Sequence, residues 1–254
     1  MNLIDAVISG FLSGLSLGLT GSGGSVLAVP LLVYFVGLDP HTAVGTSLVA
    51  VGITAIIGFL MHWRKGNVDF KTGALMALTS IPGVYIGSYL NRAVEGPLLM
   101  TLFAILMVIM AIKMARNGSK RVQSVESGKE ISHINVAGLG FLVGLASGFF
   151  GVGGGFLLVP ALTMGAGLKM HRAVGTSLFV IVLNGSAGFV SYEIQGRAID
   201  LVVVVLFVLG GLIGDVIGVR IAKSLSCKEL KQVFTAVVIL VALYLIWVNL
   251  PKIL

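Results

Sequence analysis

Shifting the chain by 130 residues lays positions 11–60 on 141–190 without a gap, and 23 of the 50 aligned pairs are identical. A match of that length at one offset is an internal duplication, so the fold must be assembled from two like units. The shared signposts are Gly21, Gly23 and Gly24 with Gly151, Gly153 and Gly154, then Val29-Pro30 with Val159-Pro160. His41 pairs with His171, and Ala43-Val44-Gly45-Thr46-Ser47-Leu48 pairs with Ala173-Val174-Gly175-Thr176-Ser177-Leu178. Farther on, Asp69 pairs with Asp200, and Gly83 and Gly87 pair with Gly214 and Gly218, each after one inserted residue.

The repeated unit is made for lipid. Apolar residues are 57% of the chain and charged ones 11%, against about 45–50% and about 25% in a soluble domain. Six stretches, near 42–62, 72–90, 96–114, 172–192, 198–220 and 229–250, reach the roughly 20 residues that a crossing helix needs. Two others, 3–37 and 134–167, are too long for one crossing and are interrupted by glycines. The reading is an all-α integral membrane protein of two repeats, each a glycine-broken helical hairpin followed by three transmembrane helices. The first repeat is 1–114 and the second 133–254, joined by 115–132, the only polar stretch of any length.

The formal charge of +7 does not point to nucleic acid, because the basic residues lie between apolar stretches and form no basic face. No Lys or Arg precedes the first apolar run, so that run is not expected to be a cleaved leader. The single cysteine, Cys227, excludes an internal disulfide, and no cofactor or metal site is expected.

The basic residues report orientation instead. If both ends of each broken hairpin emerge on one face, 14 of the 17 Lys and Arg lie on the linker side, and only Arg92, Arg197 and Lys252 lie opposite. If each broken stretch is a single kinked crossing, the split falls to 10 and 7. The positive-inside rule selects the hairpin, with the linker cytoplasmic and both termini outside. Three net crossings per repeat is an odd number, so the second copy is inverted relative to the first. Limbs at 3–20 and 24–37 would span about 27 and 21 Å. Parity does not separate a re-entrant hairpin from two short tilted crossings.

Gly21-Ser22-Gly23-Gly24-Ser25 and Gly151-Val152-Gly153-Gly154-Gly155 break helices at membrane depth, where lipid offers bare backbone no partner. Glycines let a ligand approach N–H groups, and the following helix start adds a partial positive charge, so the loops suit an anion. The same glycines also serve close helix packing. Thr46, Ser47, Thr176 and Ser177 start the next crossing, where their hydroxyls either donate to that ligand or return to the backbone one turn back. Asn184 and Ser186 lie deeper in that helix and either line a pathway or bond between helices. Asp215 is the one carboxylate well inside a crossing, either a proton site or a fixed acceptor. His41 and His171 sit at helix starts, as gates or proton sensors or as interfacial caps, and His62, Trp63 and Glu193 read as interface residues. Without a Lys or Arg in mid-crossing, an anion would be held weakly enough to be released.

The paired segments Gly-Leu-Thr-Gly-Ser-Gly-Gly-Ser-Val-Leu-Ala-Val-Pro at 18–30 and Gly-Phe-Phe-Gly-Val-Gly-Gly-Gly-Phe-Leu-Leu-Val-Pro at 148–160, each followed by His and Ala-Val-Gly-Thr-Ser-Leu, resemble the TauE/SafE family of sulfite exporters. The resemblance covers nearly the whole chain. It implies a bacterial or archaeal inner-membrane permease for sulfite, sulfoacetate or another organosulfonate. Proton coupling is open, as is the choice between a carrier and an anion channel. No nucleophile and base pairing, no His-Glu-x-x-His and no pair of intramembrane acids supports an enzyme.

Overall fold

The computed structural model describes residues 3–20, 24–117, 133–222, 227–249 and 251. Gly21, Ser22 and Gly23, and the linker from 118 to 132, lie outside the described residues. Every regular element among the described residues is helical. The first half holds α1 (Leu3–Thr20), α2 (Gly24–Tyr34), α3 (Pro40–Arg64), α4 (Phe70–Arg92) and α5 (Gly96–Asn117). The second holds α6 (His133–Phe150), α7 (Gly155–Pro160) with a π-helical turn at Ala161–Gly165, α8 (Met170–Ile194), α9 (Leu201–Ala222) and α10 (Cys227–Asn249). Two boundaries differ from the sequence reading. The second limb of the first hairpin stops at Tyr34, before the turn at Phe35-Val36, and α5 carries helix three residues into the expected linker. With 11 residues, α2 is about 16 Å long.

Helix starts follow local chemistry. Pro40 opens α3, and the carboxylate of Asp39 accepts from the amides of His41 and Thr42 at 3.0 and 3.4 Å. Asp69 accepts from Thr72 N–H at 3.1 Å to open α4, and Asp200 from Val203 N–H at 3.0 Å to open α9. The helices α3, α4, α8 and α9 are long and apolar enough to cross a membrane. Large apolar side chains such as Leu78, Leu240 and Trp247 face outward, as a lipid-solvated surface requires.

What joins the helices is the glycine pattern. α1 packs on α9, and α4 packs on α6, the same pair with the halves exchanged. A Cβ on Gly14 would lie 2.0 Å from the Gly211 carbonyl oxygen, and one on Gly214 2.1 Å from that of Phe11. On the other pair, Gly144 would strike the Ser80 oxygen at 2.1 Å and Gly87 that of Leu145 at 2.1 Å. The stripes let backbones touch, which is how helices gain dispersion energy where lipid removes the hydrophobic drive. α3 and α8 cross at the centre, where a Cβ on Gly185 would lie 2.8 Å from the Gly52 Cα, and α5 packs on α10.

Candidate functional site

The second glycine loop is buried in this centre. Gly151 N–H closes α6 on the Ser147 carbonyl at 2.8 Å, and the Gly154 carbonyl accepts from Leu157 and Leu158 to start α7. Between them Gly151, Gly153 and Gly154 have φ of +73°, +61° and +79°, so the reversal needs three left-handed residues. The loop packs on both central helices, since a Cβ on Gly153 would meet Val51 of α3 and Ile181 of α8 at 3.4 and 3.3 Å. Residues 151–156, Gly155 included, are all buried.

Ser47, one of the predicted hydroxyls, does reach this loop, donating to the Gly151 carbonyl at 2.8 Å. Ser177 instead donates to Val174 of its own helix at 2.8 Å. Thr46 and Thr176 have a role that neither sequence reading contained. Thr176 Oγ1 accepts from Asp69 N–H at 2.9 Å, and Thr46 Oγ1 accepts from Asp200 N–H at 3.1 Å, so each half holds the helix cap of the other. Asn184 Oδ1 accepts from Ser80 at 2.5 Å across α4 and α8, while its amide nitrogen is buried without a partner. Ser186 is exposed and bonds back to Val182. Gly24 sits against α1, where a Cβ would fall 2.2 Å from the Ser13 carbonyl oxygen. Ser25 belongs to α2.

Sequence reasoning missed Ser147. Its hydroxyl is fully buried with no hydrogen-bond partner, and its Cβ is 3.5 Å from where a side chain on Gly154 would begin. The available signal was the mismatch across the repeat, where Ser147 aligns with Leu17.

His41 does not cap its own helix, because Asp39 does; its Nδ1 pairs with Asn91 Oδ1 at 3.0 Å. It belongs to a network around Arg197, which donates to Asn91 Oδ1 at 2.6 Å and to the Ser88 carbonyl at 2.9 Å. The guanidinium lies 4.1 Å over the Tyr192 ring, Gln195 donates to Ser88 and Ser191, and Asn91 donates to the Phe149 carbonyl at 2.7 Å. Tyr192 is fully buried, pressed against Gly45. His171 is exposed. Asp215 stands apart from both, buried at a cavity of about 60 Å³ that it shares with Leu17, Gly18, Gly58, Met61, His62, Lys65 and Leu178.

A family model described as "Sulfite exporter TauE/SafE" matches residues 6–245. The chain belongs to the sulfite exporter TauE/SafE family. It is 37% identical over 97% of its length to a Xylella fastidiosa protein named "Probable membrane transporter protein", of which 95% is covered. The Bacillus subtilis protein YunE, similarly named, is 28% identical over 97% of this chain and 98% of the relative. A Methanocaldococcus jannaschii relative, MJ0441, is 27% identical over 94% of each. No solved structure matches. This TauE/SafE member is thus a multi-pass membrane transporter and not an enzyme.

Proposed function

We propose that this chain is an inner-membrane permease for small sulfur-containing anions, sulfite or a short sulfonate, and that the glycine loops at the meeting of two inverted repeats hold the anion. The buried Gly151–Gly155 loop carries the reading. It brings three left-handed glycines, the partnerless Ser147 hydroxyl and the Ser47 side chain together beside the α3 and α8 crossing. Gly151 N–H and the Ser47 hydroxyl are bonded within the loop, which leaves the Ser147 hydroxyl as the unpartnered donor. The absence of a fixed cation there would let an oxyanion bind and leave.

The exchanged packing of α1 on α9 and α6 on α4, and the reciprocal Thr46 and Thr176 bonds, are what two inverted copies would produce. An α2 of about 16 Å covers roughly half of a 30 Å core, which favours re-entrant hairpins with both termini outside and the linker in the cytoplasm. With the cell interior negative, outward movement of an anion gains about 2.3 kcal/mol per charge per 100 mV, so export needs no coupling ion. Counterflow in proteoliposomes tests the substrate: sulfite, thiosulfate or a short sulfonate inside should drive uptake of labelled sulfite. Failure of every sulfur anion to exchange would remove the reading.

A further inference from the structure

The duplication allows a comparison that the isolated cavity does not. At the repeat offset, the residues around Asp215 correspond to Ser147, Gly148, Gly188, Ser191, Tyr192, Gln195, Leu48 and Val84 of the opposite face. There the equivalent space is filled. Tyr192, Leu48 and Val84 are completely buried, a Cβ on Gly188 would lie 2.0 Å from Leu48, and Ser191 and Gln195 are tied to Ser88. On the Asp215 side His62 replaces Tyr192, Lys65 replaces Gln195 and Met61 replaces Ser191, and the space is an open cavity. Two equivalent places, one packed and one open, are what a carrier shows when a single face admits its substrate.

The cavity has chemistry of its own. Lys65 supplies an ammonium and His62 an imidazole whose Nδ1 is buried and unpaired, while Asp215 supplies a carboxylate. Leu17 and Gly18 of α1 and Leu178 of α8 complete the wall, and His171 at the start of α8 lies within electrostatic reach of His62. The cavity's lining sets charged groups beside apolar walls in a small space, which suits a small oxyanion.

We infer that this cavity is the entry site on the linker-side face, that it binds a small oxyanion such as sulfite between Lys65 and His62, and that Asp215 must carry a proton for the anion to bind. The inference rests on the permease reading above. Its electrostatic ground is that an ionised Asp215 would repel an anion in the same small space, whereas the neutral acid can donate to it. The proton comes from water and stays on the carboxyl group while the anion is bound, so anion binding and proton uptake are linked in both directions.

The test uses the full chain in nanodiscs with sulfite, titrated calorimetrically from pH 6 to 8 in buffers of different ionisation enthalpy, with sulfite's own protonation subtracted. Wild-type protein should take up protons on binding, and affinity should fall as pH rises. Asp215→Asn should flatten the pH dependence and reduce the uptake. Lys65→Gln should weaken binding about tenfold at every pH. His62→Gln and His171→Gln each retain the Asp215 contribution and so separate it from the two histidines. If wild type exchanges sulfite but binds it without proton uptake, or the Asp215 and Lys65 variants behave like wild type, this inference falls and the permease reading stands. If wild type neither binds nor exchanges any sulfur oxyanion, both fall. A wild-type count of no protons overturns the inference whether or not any variant folds.

Discussion

Replacing Arg197 with alanine removes the centre of the network on the packed face. Two bonds to carbonyl oxygens go, at 2.9 Å to Ser88 and 2.6 Å to Asn91, together with the stacking over Tyr192. Hydrogen bonds from a charged donor contribute about 1.5–3 kcal/mol each. Arg197 is only partly buried, so halving that for solvent competition leaves about 2 kcal/mol for the pair, a factor of about thirty in an equilibrium constant. Both hydrogen bonds run to α4, while the stacking is on Tyr192 of α8, so the loss falls on the contact between these two helices. The change should therefore appear as opening of the packed face. Val44, fully buried in the apolar cluster that includes Tyr192, is the reporter: Val44→Cys in a Cys227→Ser background should react with a membrane-impermeant thiol reagent about thirtyfold faster once Arg197 is alanine. Lysine keeps the charge but not the fork, so Arg197→Lys should give a smaller increase. Unchanged labelling in a folded Arg197→Ala protein would show that Tyr192 and Leu48 alone hold this face shut.

The glycine stripes separate by position. Gly144→Ala drives a methyl group into the Ser80 carbonyl and should lose about 1–3 kcal/mol in detergent unfolding, whereas Gly138, with nothing within 4 Å, should accept alanine at no loss. Thr46→Val and Thr176→Val each leave one cap amide unpaired, at Asp200 and Asp69; both should cost about 1–3 kcal/mol. Unequal losses would argue against matched roles in the two halves.

The helices were legible because lipid dictates their length and composition, and the glycine stripes because duplication made them visible twice. The loop glycines at 151, 153 and 154 were legible for the same reason, and their left-handed backbone shows why glycine is favoured there. What the sequence hid were pairings across great separations. Asp69 and Asp200 stood out as matched residues, yet nothing local says that their amides end on threonines 107 and 154 positions away. Arg197 read as a topological charge and His62 as an interface residue because their partners belong to other helices. Asp215 was visible as an intramembrane acid, but its companions were not.

Alanine at the glycines cannot decide whether the loops bind or merely pack. At Gly24 the added methyl group meets α1 backbone, and at Gly154 it meets a left-handed conformation, so either variant loses stability whatever the loop does. Ser147 gives opposite signs for the two cases. A buried hydroxyl without a partner carries an unrecovered desolvation cost, so if it only fills space, Ser147→Ala should leave stability unchanged or raised. If it donates to the anion, the same variant should bind sulfite about tenfold more weakly while unfolding no earlier than wild type. Binding measured in the same nanodisc preparation as the melting curve keeps the two quantities comparable. A stable Ser147→Ala protein with undiminished sulfite affinity would take the donor away from the loop and, with it, the best local reason to place the anion there.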